Sequence, residues 1–154
     1  MNLNAEYINP FLEAASIVFK TILNVDLRRG KLIIKPSPNP SMEIAIIIGI
    51  TGGITGEIVY SMEFNMVKKI ANVLMPGLTE AQVKAEYVDI MGEIANMITG
   101  NAMNLFSSTD KIIDITTPTV IDTKTESYSP QQRISLGIVL YSPMGQLELN
   151  VALS

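Results

Sequence analysis

Apolar residues recur along the chain at two spacings, and the alternation between them divides it into elements. Over residues 5–23, Ile8, Phe11, Leu12, Ala15, Phe19 and Ile22 fall at helical spacing. Pro10 interrupts this run, so the helix proper is expected to start near Asn9, an N-cap followed by proline at the first helical position. Residues 31–35 (KLIIK) read as a short strand, stopped by Pro36-Ser37-Pro38-Asn39-Pro40. Residues 42–50 and 57–61, rich in isoleucine and valine, read as strands around a glycine-rich turn. A helix over 64–74 ends at Pro76-Gly77. Thr79, with Gln82 three residues on, then forms a capping-box-like start to the strongest helix, which is expected to run to about Phe106. After Ser107-Ser108-Thr109-Asp110 come extended pieces at 112–115 and 119–123. A second hairpin, 133–141 and 146–153, closes around Ser142-Pro143-Met144-Gly145.

A faint repeat underlies this order. Ala5-Glu6-Tyr7 returns as Ala85-Glu86-Tyr87, and at the same shift Glu13 meets Glu93, Ala15 meets Ala95 and Ser16 meets Asn96. Each helix is followed by a hairpin with a turn glycine, Gly56 or Gly145. Duplication and coincidence both account for so few identities. Duplication predicts two related helix-plus-hairpin halves. Strands joined by short turns, with separate helices, favour an α+β fold with a largely antiparallel sheet over a doubly wound parallel one.

Composition narrows the chemistry. A chain of 154 residues fits one domain, taken as 1–154, with a full core. Nearly half of it is apolar (47%), yet the longest unbroken apolar stretch, at 44–48, is far too short to cross a bilayer. The first residues lack the basic and apolar segments of a secretory signal, so the cytoplasm is the expected compartment. There is no cysteine and no histidine, which excludes disulfides, thiolate nucleophiles and histidine-based triads. A net charge of −4 argues against nucleic acid as a partner. The chemistry must then run on carboxylates, amides, hydroxyls and lysines, or on groups lent by a partner.

On a helical wheel of residues 85–106, Tyr87, Met91, Ile94, Ile98, Ala102 and Leu105 gather on one side, the face expected to meet the core. Opposite lie Asp89, Gly92, Glu93, Asn96 and Gly100, with Glu93 and Asn96 neighbours at a spacing of three. By average composition a Glu-x-x-Asn match arises by chance in about one chain in three of this length, so the spacing by itself decides little. The glycines add weight, because each costs a helix about 1 kcal/mol relative to alanine. A close approach by another protein would explain two of them on an outward face; a solvated face with incidental glycines is the bland alternative. Met97 and Met103 are candidates to line the same docking surface or simply to pack. The glycine-rich stretch 49–56 lacks any phosphate-loop pattern and leads into a strand, so it reads as a hairpin turn.

Residues 88–101 (VDIMGEIANMITGN) resemble the signature helix of the CheC/CheX phosphatases, which has Asp or Ser four residues before a Glu, Asn three after it, and a later proline. Asp89, Glu93, Asn96 and Pro118 fill those places. Residues 49–61 (GITGGITGEIVYS) and 114–120 (DITTPTV) carry further likeness, in the same order along the chain. The resemblance implies a pseudo-duplicated α+β fold and a phosphatase acting on the aspartyl phosphate of a CheY-like response regulator. No cofactor of its own is implied, since the regulator supplies Mg²⁺ and a lysine. Asn96 would orient the attacking water and Glu93 would pair with that lysine, with Asp89, Gly92, Gly100, Met97 and Met103 on the docking surface. Ser16 stands where a second amide would be, so one site per chain is expected. A homodimer joined through its sheet is also implied, and strands 133–141 and 146–153 are candidates for its edge. The alternative is a non-catalytic adaptor that binds a regulator or a flagellar switch component; an enzyme acting on small molecules ranks behind both.

Overall fold

Isoleucine at nearly every position of 44–50 suits a strand covered on both faces. That is where the computed structural model, which describes residues 5–106 and 112–154, puts it. Ile44, Ile46, Ile48 and Ile50 face the main core under the helices; Ala45 and Ile47 face a smaller cluster with Val59 and Ile121, covered by Tyr128. The elements in order are α1 (Asn9–Val18), β1 (Arg28–Arg29), β2 (Ile33–Lys35), β3 (Ile44–Gly52), β4 (Gly56–Met62), α2 (Phe64–Leu74) and α3 (Glu80–Leu105). After them come β5 (Ile113–Ile115), β6 (Thr119–Asp122), β7 (Ser135–Ser142) and β8 (Gly145–Leu153). The break predicted at residues 107–110 lies outside the described residues.

Two local expectations are corrected. Asn9 is the first residue of α1 and not its cap, because a 3-10 turn (Ala5–Tyr7) leads in and Ile8 is already helical, with no side-chain cap. The helix also ends in a wider turn, Phe19–Leu23, closed by Asn24 in the left-handed conformation (φ 54°). The two-residue β1 went unpredicted: Arg28 and Arg29 carry no apolar signal and pair with Tyr141 and Leu140 only through tertiary contact.

All strands pair antiparallel in one eight-stranded sheet, ordered β1-β7-β8-β4-β3-β5, with β2 also on β7 and β6 also on β3. The hairpins β3–β4 and β7–β8 meet through β4 and β8, where Tyr60 pairs with Leu149. Strands β7 and β8 are therefore interior, and neither can be the dimer edge suggested for 133–141 and 146–153. The free edges belong to β1–β2 and β5–β6.

The two halves correspond closely. Phe11, Ala14, Ala15 and Val18 are buried on α1, and Met91, Ile94, Ala95 and Ile98, each eighty residues on, are buried on α3. Each half also supplies a bulged edge strand that flanks the outer hairpin strand of the other half, β1–β2 on β7 and β5–β6 on β3. Residues 116–118 oppose only Ile48 and Gly49; residues 30–32 oppose only Ile138 and Val139. The same backbone bond anchors both, Thr116 N to Gly49 O at 2.9 Å and Gly30 N to Val139 O at 2.8 Å.

Glycine in the β3–β4 turn is required by geometry. Gly56 sits at φ +142°, and a Cβ there would stand 1.8 Å from the Ala152 carbonyl oxygen. The stretch 49–56 is thus a hairpin pressed against β8. On the sheet face away from the helices, buried Glu148 accepts hydrogen bonds from Ser61, Asn150 and the Ser41 amide, with Lys35 at 3.7 Å. Burial by itself raises this carboxyl, but the bonds from Ser41 and Asn150 and the Lys35 charge outweigh it and hold the group below its ordinary value.

Candidate functional site

α3 is set in place at its start and along its buried side. Thr79 Oγ1 accepts from Gln82 N at 3.2 Å, while Gln82 Oε1 accepts from Thr79 N at 2.8 Å, completing the capping box. In the core, the Tyr60 hydroxyl hydrogen-bonds Thr99 Oγ1 at 2.9 Å, and both side chains are wholly buried. Burial pushes the Tyr60 hydroxyl well above its ordinary pKa, so it stays neutral. This polar contact ties α3 to β4 and, with the buried apolar side of the helix, turns the opposite face outward.

That face carries Asp89, Glu93 and Asn96, all exposed, with Gly92 and Gly100 half-buried beside them. The wheel placed the inner face well in its middle and less well at its ends. Tyr87 is only partly buried, edge-on to Phe64 at 5.8 Å, and Leu105 is 40% exposed. Near its ends a helix runs past the sheet, and there periodicity no longer implies cover.

Asp89, Gly92, Glu93 and Asn96 line a shallow open cleft together with Val88, Thr117, Pro118 and Val120. The wall opposite the helix is a product of the bulge. Ile113 and Val120 both face the main core, although an uninterrupted strand would send residues an odd number apart to opposite faces. The extra residue resets the alternation and lets consecutive residues Thr117 and Pro118 both face α3. Pro118, which lacks an amide hydrogen, suits a place where the ladder is broken.

Neither helix glycine is explained by packing among the described residues. A Cβ at Gly92 would meet only Val120 Cγ2 at 3.9 Å, an ordinary contact, and one at Gly100 would meet nothing within 4 Å. Gly100, Met97 and Met103 lie outside the lining of the cleft, and the two methionines pack in part against the core. Val88, Thr117 and Val120 line the cleft and were not singled out from the sequence. A bulge shows in no periodicity, and Pro118 was the only trace of it.

A separate charged hollow is lined by Glu43, Phe64, Glu80, Lys84, Tyr87, Asp122 and Lys124. There Lys124 Nζ lies 2.8 Å from Glu43 and holds its carboxyl down at about 2. Burial and that same Glu43 push Glu63 up. Among the described residues no group of three or more acidic side chains is placed to hold a metal ion, and no helix is long and apolar enough to cross a membrane. On α1, Glu13 is exposed and Ser16 half-buried.

The family model described as chemotaxis phosphatase CheX matches residues 44–139. A curated relative from Thermotoga maritima, the CheY-P phosphatase CheX, is 28% identical over 149 residues, covering 92% of this chain and 88% of the relative. Among solved structures, a CheC-like superfamily protein from Shewanella sp. PV-4 superposes with a TM-score of 0.85 at 27% identity, covering 99% of each chain. The CheX chain of a CheX–CheY–BeF₃–Mg²⁺ complex from Borrelia burgdorferi shares the fold at a TM-score of 0.80 and 24% identity, covering 97% of this chain and 99% of its own.

Proposed function

Because the chain belongs to the chemotaxis phosphatase CheX family, we propose that it hydrolyses the aspartyl phosphate of a CheY-like response regulator and so ends a two-component signal. The observation that carries this reading is the row Asp89–Glu93–Asn96, exposed in an open cleft between α3 and the Thr117–Pro118 wall. Such a cleft admits a protruding group on another protein's surface more readily than it encloses a small molecule.

An aspartyl phosphate is an activated acyl phosphate, and what limits its hydrolysis is holding a water in line with phosphorus. Asn96 supplies a group suited to that task. Its amide oxygen accepts from the water, and its nitrogen donates to a phosphoryl oxygen. Glu93, one helical turn back, pairs with a lysine of the regulator and sets the register of docking, while Asp89 extends the contact. Mg²⁺ and the lysine come with the regulator. The Borrelia relative, solved together with CheY, Mg²⁺ and BeF₃ (a phosphoryl stand-in), supports the choice of partner. Gly92 keeps the helix backbone low where the partner seats.

The test mixes this protein with a phosphorylated regulator and follows phosphate release. Faster release supports the reading. Tight binding without faster release would make the chain an adaptor.

The same reading includes a homodimer through the β1–β2 edge. Leu32, Ile33 and Ile34 are exposed there at 43%, 47% and 72%, beside backbone groups that no strand among the described residues pairs on their outer side. Light scattering should show a dimer that Ile34→Lys converts to monomer; a monomeric parent protein would remove this element.

A further inference from the structure

The bulged edge is common to both halves, but the two bulges are not held alike, and the difference lies at the cleft. In the first half Gly30 contributes only its backbone amide to Val139. In the second half the corresponding place is Thr116, which makes two bonds to one residue. Its amide donates to the Gly49 carbonyl at 2.9 Å, and its Oγ1 accepts from the Gly49 amide at 2.8 Å. The bulge takes away the partner that the Gly49 amide would have in a regular ladder, and the threonine hydroxyl replaces it.

Gly49 is itself unexpected inside an isoleucine strand, where glycine weakens the strand and marks a close approach. A Cβ at that position would stand 3.0 Å from Thr116 Cγ2 and 3.3 Å from Oγ1. Glycine makes the room, and Thr116 fills it. The next two residues along the chain are Thr117 and Pro118, the wall facing Glu93 and Asn96.

We propose that Thr116 is a positioning residue for dephosphorylation: its clamp on Gly49 holds the Thr117–Pro118 wall where the docked regulator must stop for Asn96 to meet the phosphoryl group. Thr116 touches neither substrate nor water in this account. It acts through the wall, and it rests on the role of Asn96 given above. Because the wall sets depth more than it supplies area, the clamp governs the saturating rate more than the half-saturating concentration of regulator.

The experiment measures both quantities for Thr116→Val, which keeps the shape and deletes the acceptor, and for Thr116→Ser, which restores it, with thermal unfolding of each. Misplacement on the scale of an ångström is expected to lower the saturating rate of Thr116→Val about 10-fold, with a change of less than about 3-fold in half-saturation. Thr116→Ser should run near the parent rate. Gly49→Ala, which crowds the hydroxyl without removing it, gives a second route and should move the saturating rate in the same direction. A parent rate in Thr116→Val, or equal impairment of the Ser and Val variants, overturns the proposal. An Asn96→Ala control separates the two readings. If Asn96→Ala is inactive while Thr116→Val is normal, only the clamp fails; if Asn96→Ala is active, the water-positioning reading fails with it.

Discussion

The molecule offers its own control for the site, because α1 and α3 occupy related places in the two halves and only one carries the amide. Three positions separate them. Where α3 has Gly92, half-buried at the floor of the cleft, α1 has Leu12, 4% exposed and part of the core. Where α3 has Asn96, α1 has Ser16; where α3 has Gly100, the wider turn that ends the first helix has Lys20. The acidic residue is present in both, as Glu13 and Glu93, and both are exposed. A shared helix, hairpin and bulged edge thus surround different side chains in the two halves. On the function proposed above, the site combines backbone left bare at Gly92, an amide one turn on, and an edge clamped by a side chain as Thr116 clamps Gly49.

Substitutions at these positions can break the comparison, and the largest effect belongs to Asn96. Asn96→Ala should lower regulator dephosphorylation by about 100-fold or more, the scale of losing a positioned group. As an exposed change it should shift unfolding free energy by less than about 0.5 kcal/mol. Phosphate release and urea unfolding together check both halves of that statement. Next comes Glu93→Gln, which keeps size and removes charge. It should raise the half-saturating regulator concentration about 10-fold and flatten its dependence on salt.

The glycines sharpen the contrast through opposite signs. Gly92→Ala and Gly100→Ala should each stabilise the helix by up to about 1 kcal/mol in denaturant unfolding, since a Cβ fits at both places. If the partner seats against Gly92, that variant alone also loses affinity several-fold; unchanged binding would return Gly92 to an incidental role. The smallest expected effect is the most telling for the comparison. Ser16→Asn added to Asn96→Ala places an amide beside Glu13, yet phosphate release should not recover, because α1 has buried Leu12 where α3 has Gly92, and Gly30 anchors its bulge with no side-chain clamp. Recovery would mean that the motif suffices without its surroundings.

Much of this arrangement was legible beforehand, for reasons that differ by element. The hairpins, α2 and α3 announce themselves through local signals: isoleucine and valine runs, turn glycines and the Thr79–Gln82 cap. The exposed row on α3 follows from periodicity, because the helical repeat sends residues three and four apart to one side wherever the helix has neighbours. At Leu105 it lacks them, and the inference stops holding there. The faint repeat gains its meaning only in three dimensions, where matching burial on α1 and α3 and matching bulges replace a handful of identities. The strands proposed as a dimer edge were misjudged, since apolar content cannot distinguish a central strand from an edge strand. β7 and β8 are apolar because both lie inside the sheet.

By itself, then, the sequence determined which residues are available for chemistry and which helix bears them. A chain without histidine or cysteine leaves its chemistry to carboxylates, amides, hydroxyls and lysines, and local propensity places Asn96 and Glu93 on one face of α3. Only the tertiary structure decided that this face is a cleft. Its second wall comes from a strand edge distant along the chain, through a bulge that exists only when β5 and β6 pair with β3. A register shift of one residue leaves no mark in composition or period, yet it turns Thr117 and Pro118 toward Asn96.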